Sequence, residues 1–378
     1  MDFVLNDEQQ LLRETTAKFL DDTCPLAEVR RIAEEEPAGF DRDWWRQGAE
    51  LGWTSMLVPE ELGGGCVSGG PLADLSLVAE EMGRRVTPGP LVPTNVVAAA
   101  IARSGSPVHH KQLTGLLSGE TVATWWPGSA LSGFGASTGR ETELRAVRGS
   151  DGYVVEGTTG PVEAAAQADQ LLVVARSDEG LVQLLVAAGT PGLSVRPAGS
   201  IDLVRRFAVL AFDHVEVGAD AELGRARTAE ADIERQLHDV AVLQCAEMAG
   251  AADRVFEFTV AYAEERYSFG RPLVSYQALK HRFADMKMWL EASHATSSAA
   301  ARAVDSGSEH APELISVAKA YVGDRTPAIL QDCVQLHGGI GVTWEHDLHL
   351  FLRRVIQDRS LFGTPSDHRE RIAAIVGE

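Results

Sequence analysis

Residues 261–286 include residue types that suit the binding of a nucleotide. Their helical pattern breaks at Gly270 and Pro272, because glycine accepts the open backbone geometry of a helix end and proline cannot continue a helix. The break predicts that Arg266 and Phe269 project from a helix terminus. There a guanidinium group can grip a phosphate and an aromatic ring can stack on a planar base. The alternative is that Arg266 forms a surface ion pair and Phe269 packs in the core.

Two motifs in the second half of the chain resemble those of the acyl-CoA dehydrogenase family of flavoproteins. The first is R-x-x-F-G-x-P-x-x-x-x-Q, formed here by Arg266, Phe269, Gly270, Pro272 and Gln277. The second resembles the C-terminal block of the family and comprises residues 335–341 (QLHGGIG), Arg353, Arg354, Phe362, Gly363 and Thr364. The resemblance covers nearly the whole chain and implies the acyl-CoA dehydrogenase fold.

The pattern of elements agrees with that fold. Helical periodicity dominates residues 1–118, short β-branched runs dominate residues 119–223, and helical periodicity returns in residues 224–378. The sequence therefore predicts an α+β protein with an N-terminal helical domain, a middle antiparallel β-barrel and a C-terminal four-helix bundle, divided at those residues. Strands are predicted at residues 153–156, 171–175, 182–187 and 207–217. The main C-terminal helices are predicted at residues 229–267, 276–306, 312–336 and 346–362.

The resemblance also implies FAD, bound across an interface between two subunits. In the family, the adenine and pyrophosphate end of FAD is held by the neighbouring subunit. The matching positions here are Arg266, Phe269, Gln335, Gly338 and Gly339, and we also assign Gln277 and Thr364 to cofactor binding. Two adjacent glycines allow backbone to approach a ligand closely. All the residues that this chain would offer to a neighbour's FAD are present.

The half of the site that would hold this chain's own flavin departs from the family. An a-x-T/S-E-P strand is expected after the first domain, but residues 122–127 read VATWWP. A K-x-W/Y-I-T/S strand is also expected, but residues 157–163 read GTTGPVE. The contacts of those strands with flavin are therefore predicted to be lost. Trp125 or Trp126 either stacks on a flavin instead or packs in the core.

The catalytic base of the family is also missing. Removal of a proton next to a thioester requires a carboxylate, and a desolvated glutamate has a suitably raised pKa. The usual position, before the Gly-Thr of the terminal motif, is Phe362, and the alternative position, thirty residues before Gly270, is Val240. Neither side chain accepts a proton. Asp239 is a possible substitute, although one helical residue turns a side chain by about 100°. Weaker candidates are Glu234 and Glu247.

Composition limits the classes of partner and compartment. The 378-residue chain has a formal net charge of −20, which disfavours nucleic acid and anionic membranes as partners. The acidic N-terminus does not resemble a signal peptide, and no apolar run reaches the roughly 18 residues of a membrane span. The four cysteines show no C-x-x-C pair, so no zinc site or disulfide framework is predicted. These features favour a reducing cytoplasm. His337 and His346 flank the glycine motif without a visible partner carboxylate.

One hypothesis accounts for three predictions together: the residues offered to a neighbour's FAD are intact, the contacts with this chain's own flavin are lost, and the catalytic base is lost. The chain resembles the base-less subunit of the heterotetrameric α2β2 acyl-CoA dehydrogenases of steroid side-chain degradation. That resemblance implies a homologous partner with an intact catalytic Glu, a CoA thioester substrate with a bulky acyl group, and electron-transfer flavoprotein as the electron acceptor. Two alternatives are a homo-oligomeric flavoenzyme with a relocated base or a changed reaction, and a non-enzymatic scaffold that binds CoA esters.

Overall fold

The structure, a computed structural model of the chain, describes residues 5–128, 143–224 and 229–377. Within these residues, six helices come first, a seven-stranded sheet follows, and further helices end the chain. The first helices are α1 (Asp7–Thr23), α2 (Leu26–Glu35), α3 (Arg42–Glu50), α4 (Pro71–Arg85), α5 (Leu91–Ser104) and α6 (His110–Leu117). The strands of the sheet are β1 (Ala123–Trp126), β2 (Leu144–Arg148), β3 (Gly152–Glu163), β4 (Gln170–Ser177), β5 (Gly180–Ala187), β6 (Leu193–Ala198) and β7 (Phe207–Gly218). The remaining elements are α7 (Ala229–Glu265), the two-residue strands β8 (Tyr267–Ser268) and β9 (Arg271–Pro272), α8 (Gln277–Asp305), α9 (Ala311–His337), α10 (Leu348–Ser360) and α11 (Pro365–Gly377). The predicted α+β architecture is confirmed.

The sheet has the strand order β1-β4-β2-β3-β7-β6, with β5 also paired to β4. The four predicted strand segments lie within β3, β4, β5 and β7. Most neighbours run antiparallel, as predicted, but β1 runs parallel to β4, with Ala123 opposite Gln170. β2 also meets β4 in parallel at one residue pair. A parallel pair requires a long connection, and residues 127–169 provide one between β1 and β4. Periodicity within a strand does not indicate which distant strand becomes its neighbour.

The C-terminal helices differ from their predicted limits mainly at their ends. Helix α7 ends at Glu265, and α10 begins at Leu348 because the Nδ1 atom of His346 accepts a hydrogen bond from the Leu348 N–H at 3.1 Å. Helix α11 was not predicted. Only Pro365 and His368 of this helix are buried, so its apolar face is too weak to produce a clear periodic signal.

Two glycines allow α4 and α7 to pack backbone against backbone. A Cβ atom on Gly83 would lie 2.0 Å from the Glu247 carbonyl oxygen, and one on Gly250 would lie 2.1 Å from the Glu80 carbonyl oxygen. Any side chain at either glycine would force the helices apart. This close contact fixes α7 against the N-terminal domain, and α7 carries Val240 and Asp239.

The adjacent tryptophans of β1 belong to two different cores, because successive residues of a strand point to opposite faces. Trp125 packs in the large core shared by the two helical domains, whereas Trp126 packs in the smaller core of the sheet. Both side chains are buried, which agrees with the alternative that these residues pack in the core. The strand β1 therefore lies at the junction of the two cores.

A group of buried charges, here called the buried charge cluster, joins the sheet domain to the C-terminal helices. Its two guanidinium groups bridge carboxylates on different domains: Arg205 Nη1 lies 2.7 Å from Asp358 Oδ1, and Arg354 contacts both Asp202 and Glu247. The members are Glu163, Asp202, Arg205, Glu247, Lys319, Arg354 and Asp358. Buried charges need such partners because an unpaired charge is strongly destabilising.

Candidate functional site

The loop after α7 displays the arginine and the phenylalanine of the first motif. Strands β8 and β9 form a hairpin whose two-residue turn consists of Phe269 and Gly270. Both turn residues have positive φ, 48° at Phe269 and 80° at Gly270. Phe269 is 97% exposed and Arg266 is exposed as well. The prediction that Phe269 is exposed is confirmed, and the alternative of a core phenylalanine was wrong. The predicted position at a helix terminus was wrong, because α7 ends at Glu265 and Phe269 lies in the hairpin turn that follows.

Phe269 combines two features that are unfavourable in an isolated chain. An L-residue other than glycine, asparagine or aspartate is strained at positive φ, and an exposed phenyl ring receives no stabilisation from burial. Two-residue hairpin turns with positive φ at both positions favour Asn-Gly, whereas this turn is Phe-Gly. Strain that persists at an exposed position is typical of a binding site. The chain by itself gives no stabilising reason for this ring.

The second motif lies at the end of α9, next to the first. Gln335, Gly338 and Gly339 are all exposed there. The ring of Tyr262, one turn before the end of α7, stacks on the imidazole of His337 with 4.5 Å between centroids. The Tyr262 hydroxyl also donates to the His337 carbonyl oxygen at 3.4 Å. These contacts hold together two segments of the chain whose contacting residues lie 75 positions apart in sequence.

The two glycines of that motif have different reasons for being glycine. Gly338 has φ of 65°, which favours glycine on conformational grounds. A Cβ atom on Gly339 would meet nothing within 4 Å, and φ there is not positive. The fold of this chain therefore does not require glycine at 339. A ligand or neighbouring subunit that approaches the backbone closely would require it.

The last two residues assigned to cofactor binding have different surroundings. Gln277 is exposed at the first position of α8. Thr364 lies just before α11, where its backbone N–H and its hydroxyl each donate to Asp367 Oδ2 at 2.8 Å. The Thr364 hydroxyl oxygen also accepts a hydrogen bond from the Asp367 N–H at 3.4 Å, which makes Thr364 a capping residue of α11. Its part in cofactor binding stays a prediction.

Val240 and Phe362, the two positions where the family has its base, line one cavity. The cavity has a volume of about 70 Å³ and lies between β1, β3, α5, α7 and the segment after α10. Its described lining residues are Val92, Pro93, Thr124, Trp125, Trp126, Pro127, Pro161, Val162, Glu163, Phe207, Val240, Leu361 and Phe362. The structure thus brings together two positions that sequence alone placed in alternative subfamilies.

Aromatic side chains fill much of this cleft. The rings of Trp125 and Phe362 are stacked, with 5.9 Å between centroids and 9° between planes. Pockets for drug-sized ligands are typically about 300 to 1,000 Å³. The cavity between the described lining residues, at about 70 Å³, lies below that range. The stacked rings of Trp125 and Phe362 take up part of the space beside the two base positions.

The three acidic residues considered as substitute bases lie away from the cavity lining. Asp239 is buried and its Oδ2 lies 2.8 Å from Arg103 Nη1, while burial raises the pKa of its carboxyl group. Glu234 pairs with Arg371, and Glu247 belongs to the buried charge cluster. Asp239 points away from the side of α7 that carries Val240, as the helical rotation predicts.

Glu163 is the cavity residue that the sequence analysis missed. It ends β3, lines the cavity that Val240 and Phe362 also line, and has a side chain that is 14% exposed. Its Oε1 lies 3.3 Å from Arg205 Nε. Burial raises the pKa of its carboxyl group, and Arg205 opposes that shift. An acidic residue at the end of a largely apolar strand is only a weak indication of a functional site. The comparison with the family motif concerned the residues that this segment lacks, and Glu163 is not one of them.

In the part of the chain that the structure describes, no group of three or more His, Cys, Asp or Glu residues could hold a metal ion. Among the described helices, none combines the length and the apolar character needed to cross a bilayer.

The fold and the exposed motifs together define a class: α+β proteins in which two helical domains adjoin a sheet and the C-terminal helices display exposed Arg-x-x-Phe-Gly and Gly-Gly motifs. A model of the acyl-CoA dehydrogenase N-terminal domain matches residues 6–120, and a model of the C-terminal domain matches residues 231–377. The chain belongs to the acyl-CoA dehydrogenase family. Members of this family are flavoprotein oxidoreductases that act on CoA thioesters.

Several relatives cover almost the whole chain. It is 32% identical to the acyl-CoA dehydrogenase IpdE2 of Mycobacterium tuberculosis, over 98% of each chain. Among solved structures, it resembles the Tcur3481-Tcur3483 steroid ACAD with a TM-score of 0.86 and 27% identity, over 98% of each chain. It resembles the ChsE4-ChsE5 complex from Mycobacterium tuberculosis with a TM-score of 0.87 and 26% identity, over 100% of this chain and 99% of that one.

Proposed function

We propose that this chain is the non-catalytic, FAD-sharing subunit of a heteromeric acyl-CoA dehydrogenase. Its exposed donor surface would hold the adenine and pyrophosphate end of the FAD of a homologous partner. That surface consists of Arg266, Phe269, Gln277, Gln335, Gly338 and Gly339. The observation that carries the proposal is the combination of this open surface with a cleft closed by Trp125 and Phe362.

The chemistry of the donor surface suits a dinucleotide. The guanidinium group of Arg266 can donate hydrogen bonds to a pyrophosphate, and the exposed Phe269 ring can stack on adenine. The absence of a side chain at Gly339 lets its backbone approach the ligand closely. FAD, when bound, supplies the hydride acceptor for dehydrogenation. In this proposal, the partner subunit contributes the glutamate that removes the proton, and this chain binds and orients the cofactor from outside.

The relatives support a substrate class and a form of assembly. One solved relative is described as a steroid ACAD, and another is a complex of two different chains. We therefore include in the proposal a CoA thioester with a bulky, steroid-type acyl group, a partner chain with an intact Glu, and electron-transfer flavoprotein as the electron acceptor. All four cysteine thiols are free, which suits a reducing cytoplasm.

Flavin content tests this proposal directly. The chain is purified alone and after co-expression with a homologous subunit that keeps the catalytic Glu, and absorbance at 450 nm is compared with protein concentration. We expect little flavin in the single chain and about one FAD per two chains in the complex. One FAD per chain in the protein purified alone would refute the proposal. A complex without flavin would instead favour a CoA-ester-binding scaffold.

One observation favours a second candidate, a subunit with its own relocated base. Glu163 lines the same cavity as Phe362 and Val240, and its carboxyl group has a raised pKa. If the cleft opened to admit flavin and substrate, Glu163 would be a carboxylate in its lining. Substitution Glu163→Gln separates the candidates. A loss of turnover in the assembled complex, together with a changed pH profile, would favour the second candidate. Unchanged turnover would favour the first.

A further inference from the structure

Tyr276 lies across the hairpin that displays Phe269 and is bound to both of its strands. Its hydroxyl donates to the Ser268 carbonyl oxygen of β8 at 2.6 Å. Its ring lies under the Arg271 guanidinium group of β9, with 3.8 Å from Cζ to the ring centroid. One side chain therefore ties together the residues immediately before and after the Phe269-Gly270 turn.

The hairpin receives little other support for its conformation. Each strand has only two residues, and an isolated hairpin of this kind is marginally stable at best. A backbone bond from the Leu273 N–H to the Arg266 carbonyl oxygen, 2.9 Å long, closes the base of the loop. The exposed Phe269 ring adds no packing that would offset its positive φ. The contacts of Tyr276 are thus well placed to oppose relaxation of the turn.

We propose that Tyr276 is a positioning residue, which holds Phe269 in the orientation that binds the partner's FAD. The inference rests on the proposed function, because it concerns the same donor surface. Tyr276 acts through the turn, since its hydroxyl and its ring are both engaged within this chain. A preformed turn binds more tightly because less conformational freedom is lost on binding.

The conservative variant Tyr276→Phe tests the positioning role in the assembled complex. It keeps the ring under Arg271 and removes the bond to Ser268. Loss of one neutral hydrogen bond corresponds to about a 2-fold to 12-fold change in an equilibrium constant. We expect FAD, titrated into the flavin-depleted complex, to bind more weakly by about that factor. The melting temperature of the flavin-free single chain should stay within about 1 °C, because the hairpin is peripheral to the core.

A matched control and a double-mutant cycle distinguish positioning from general weakening. Tyr153→Phe also removes one tyrosine hydroxyl, which donates to Glu222 at 2.7 Å in the sheet domain, and we expect no change in FAD affinity. If Tyr276 acts through Phe269, its substitution has no further effect in a Phe269→Ala background. Equal FAD affinity of Tyr276→Phe and the unsubstituted complex, or fully additive effects with Phe269→Ala, would overturn the inference.

The same measurements separate this inference from the proposed function. If Arg266→Ala and Phe269→Ala both leave FAD affinity unchanged, the donor surface does not bind FAD, and the proposed function and the inference both fail. If those two variants weaken FAD binding and Tyr276→Phe does not, only the positioning role fails.

Discussion

The indole of Trp125 lies flat against the phenyl ring of Phe362, with 5.9 Å between their centroids. Phe362 takes the usual base position of the family and has a strained φ of 56°. Stacked aromatic pairs contribute about 0.5 to 1.5 kcal/mol beyond the burial of their surfaces. The contact therefore offsets part of the strain, and it closes the cleft with residues from β1 and from the segment after α10.

Restoring the missing carboxylate should not restore an enzyme. We expect the single chain with Phe362→Glu to remain free of flavin and inactive with acyl-CoA substrates, because the cleft lacks space and flavin contacts. Burial raises the pKa of a carboxyl group, so the variant should be less stable at pH 8 and should regain stability as the pH falls and the group takes up a proton. Thermal melts at pH 5 and pH 8 measure this effect. Phe362→Leu, which removes the ring without adding charge, should show no difference in stability between the two pH values. Flavin bound to the single chain with Phe362→Glu would contradict the prediction that this cleft does not bind flavin.

Arg266 should contribute to cofactor binding and little to folding. A charge-assisted hydrogen bond contributes on the order of 1.5 to 3 kcal/mol, so Arg266→Ala should weaken FAD binding by the complex about 10-fold to 150-fold. The measurement is FAD titration of the flavin-depleted complex, accompanied by a melt of the single chain. Arg148→Ala, which removes an exposed arginine of the sheet domain, serves as the control and should leave FAD affinity unchanged. An unchanged affinity in Arg266→Ala would mean that Arg266 is only a surface residue.

Strain and binding at Phe269 should be separable by one substitution. Asparagine tolerates positive φ far better than phenylalanine, so Phe269→Asn should stabilise the single chain by about 1 kcal/mol. The same change removes the stacking ring and should weaken FAD binding by the complex about 3-fold to 10-fold. Phe269→Ala loses the ring but keeps a strained backbone, and it should weaken binding without the gain in stability. Urea unfolding and FAD titration check the two effects, and a destabilised Phe269→Asn would show that the ring supports the fold.

Asp239 should have no role in turnover. Its carboxylate faces Arg103, so Asp239→Asn should leave turnover of the complex nearly unchanged. Neutralising the partner's catalytic Glu should abolish turnover, because general base catalysis commonly contributes about 100-fold to 10,000-fold. Steady-state assays of both variants, with flavin reduction followed by stopped flow, make the comparison. Loss of flavin reduction in Asp239→Asn would mean that this chain carries a relocated base.

The buried charge cluster should give the chain a distinctive dependence of stability on pH. Burial raises the pKa of Asp358 to about 7, from an ordinary value of about 4. The folded chain then binds the proton more tightly than the unfolded chain, so the contribution of this group to stability is present at low pH and is lost as the pH rises toward 7. Asp358→Asn should reduce this loss between pH 5 and pH 8, as measured by urea unfolding. Asp43→Asn, which alters an exposed ion pair, should leave the change of unfolding free energy with pH as it is in the unsubstituted chain. An equal dependence on pH in the two variants would contradict the assignment of this loss to Asp358.

Local sequence determined the elements and the display of the first motif. Helical and strand periodicity placed the four long C-terminal helices and the strands β4, β5 and β7 to within a few residues, because these patterns follow from the turn of a helix and the alternation of a strand. The pattern covered only the first part of β3 and gave no bounds for β1, β2, β6 or α11. Gly270 and Pro272 prevent a continuous helix through this segment by their backbone chemistry, although α7 ends earlier, at Glu265, and both residues lie in the hairpin that follows. That interruption is why the exposure of Phe269 was predictable. The resemblance then supplied the family and the positions where a base is missing.

Only the tertiary structure decided which distant residues meet. The parallel pairing of β1 with β4, the stack of Trp125 on Phe362, and the presence of Glu163 in the same cavity depend on contacts between segments that lie far apart in sequence. Such contacts arise from the packing of whole domains, to which each residue contributes only a small fraction of the energy. The departures from the family's base positions and flavin-contacting strands are visible in the sequence. The stacked rings beside those positions, and the Glu163 carboxylate among the described lining residues, become visible only when the domains are packed together.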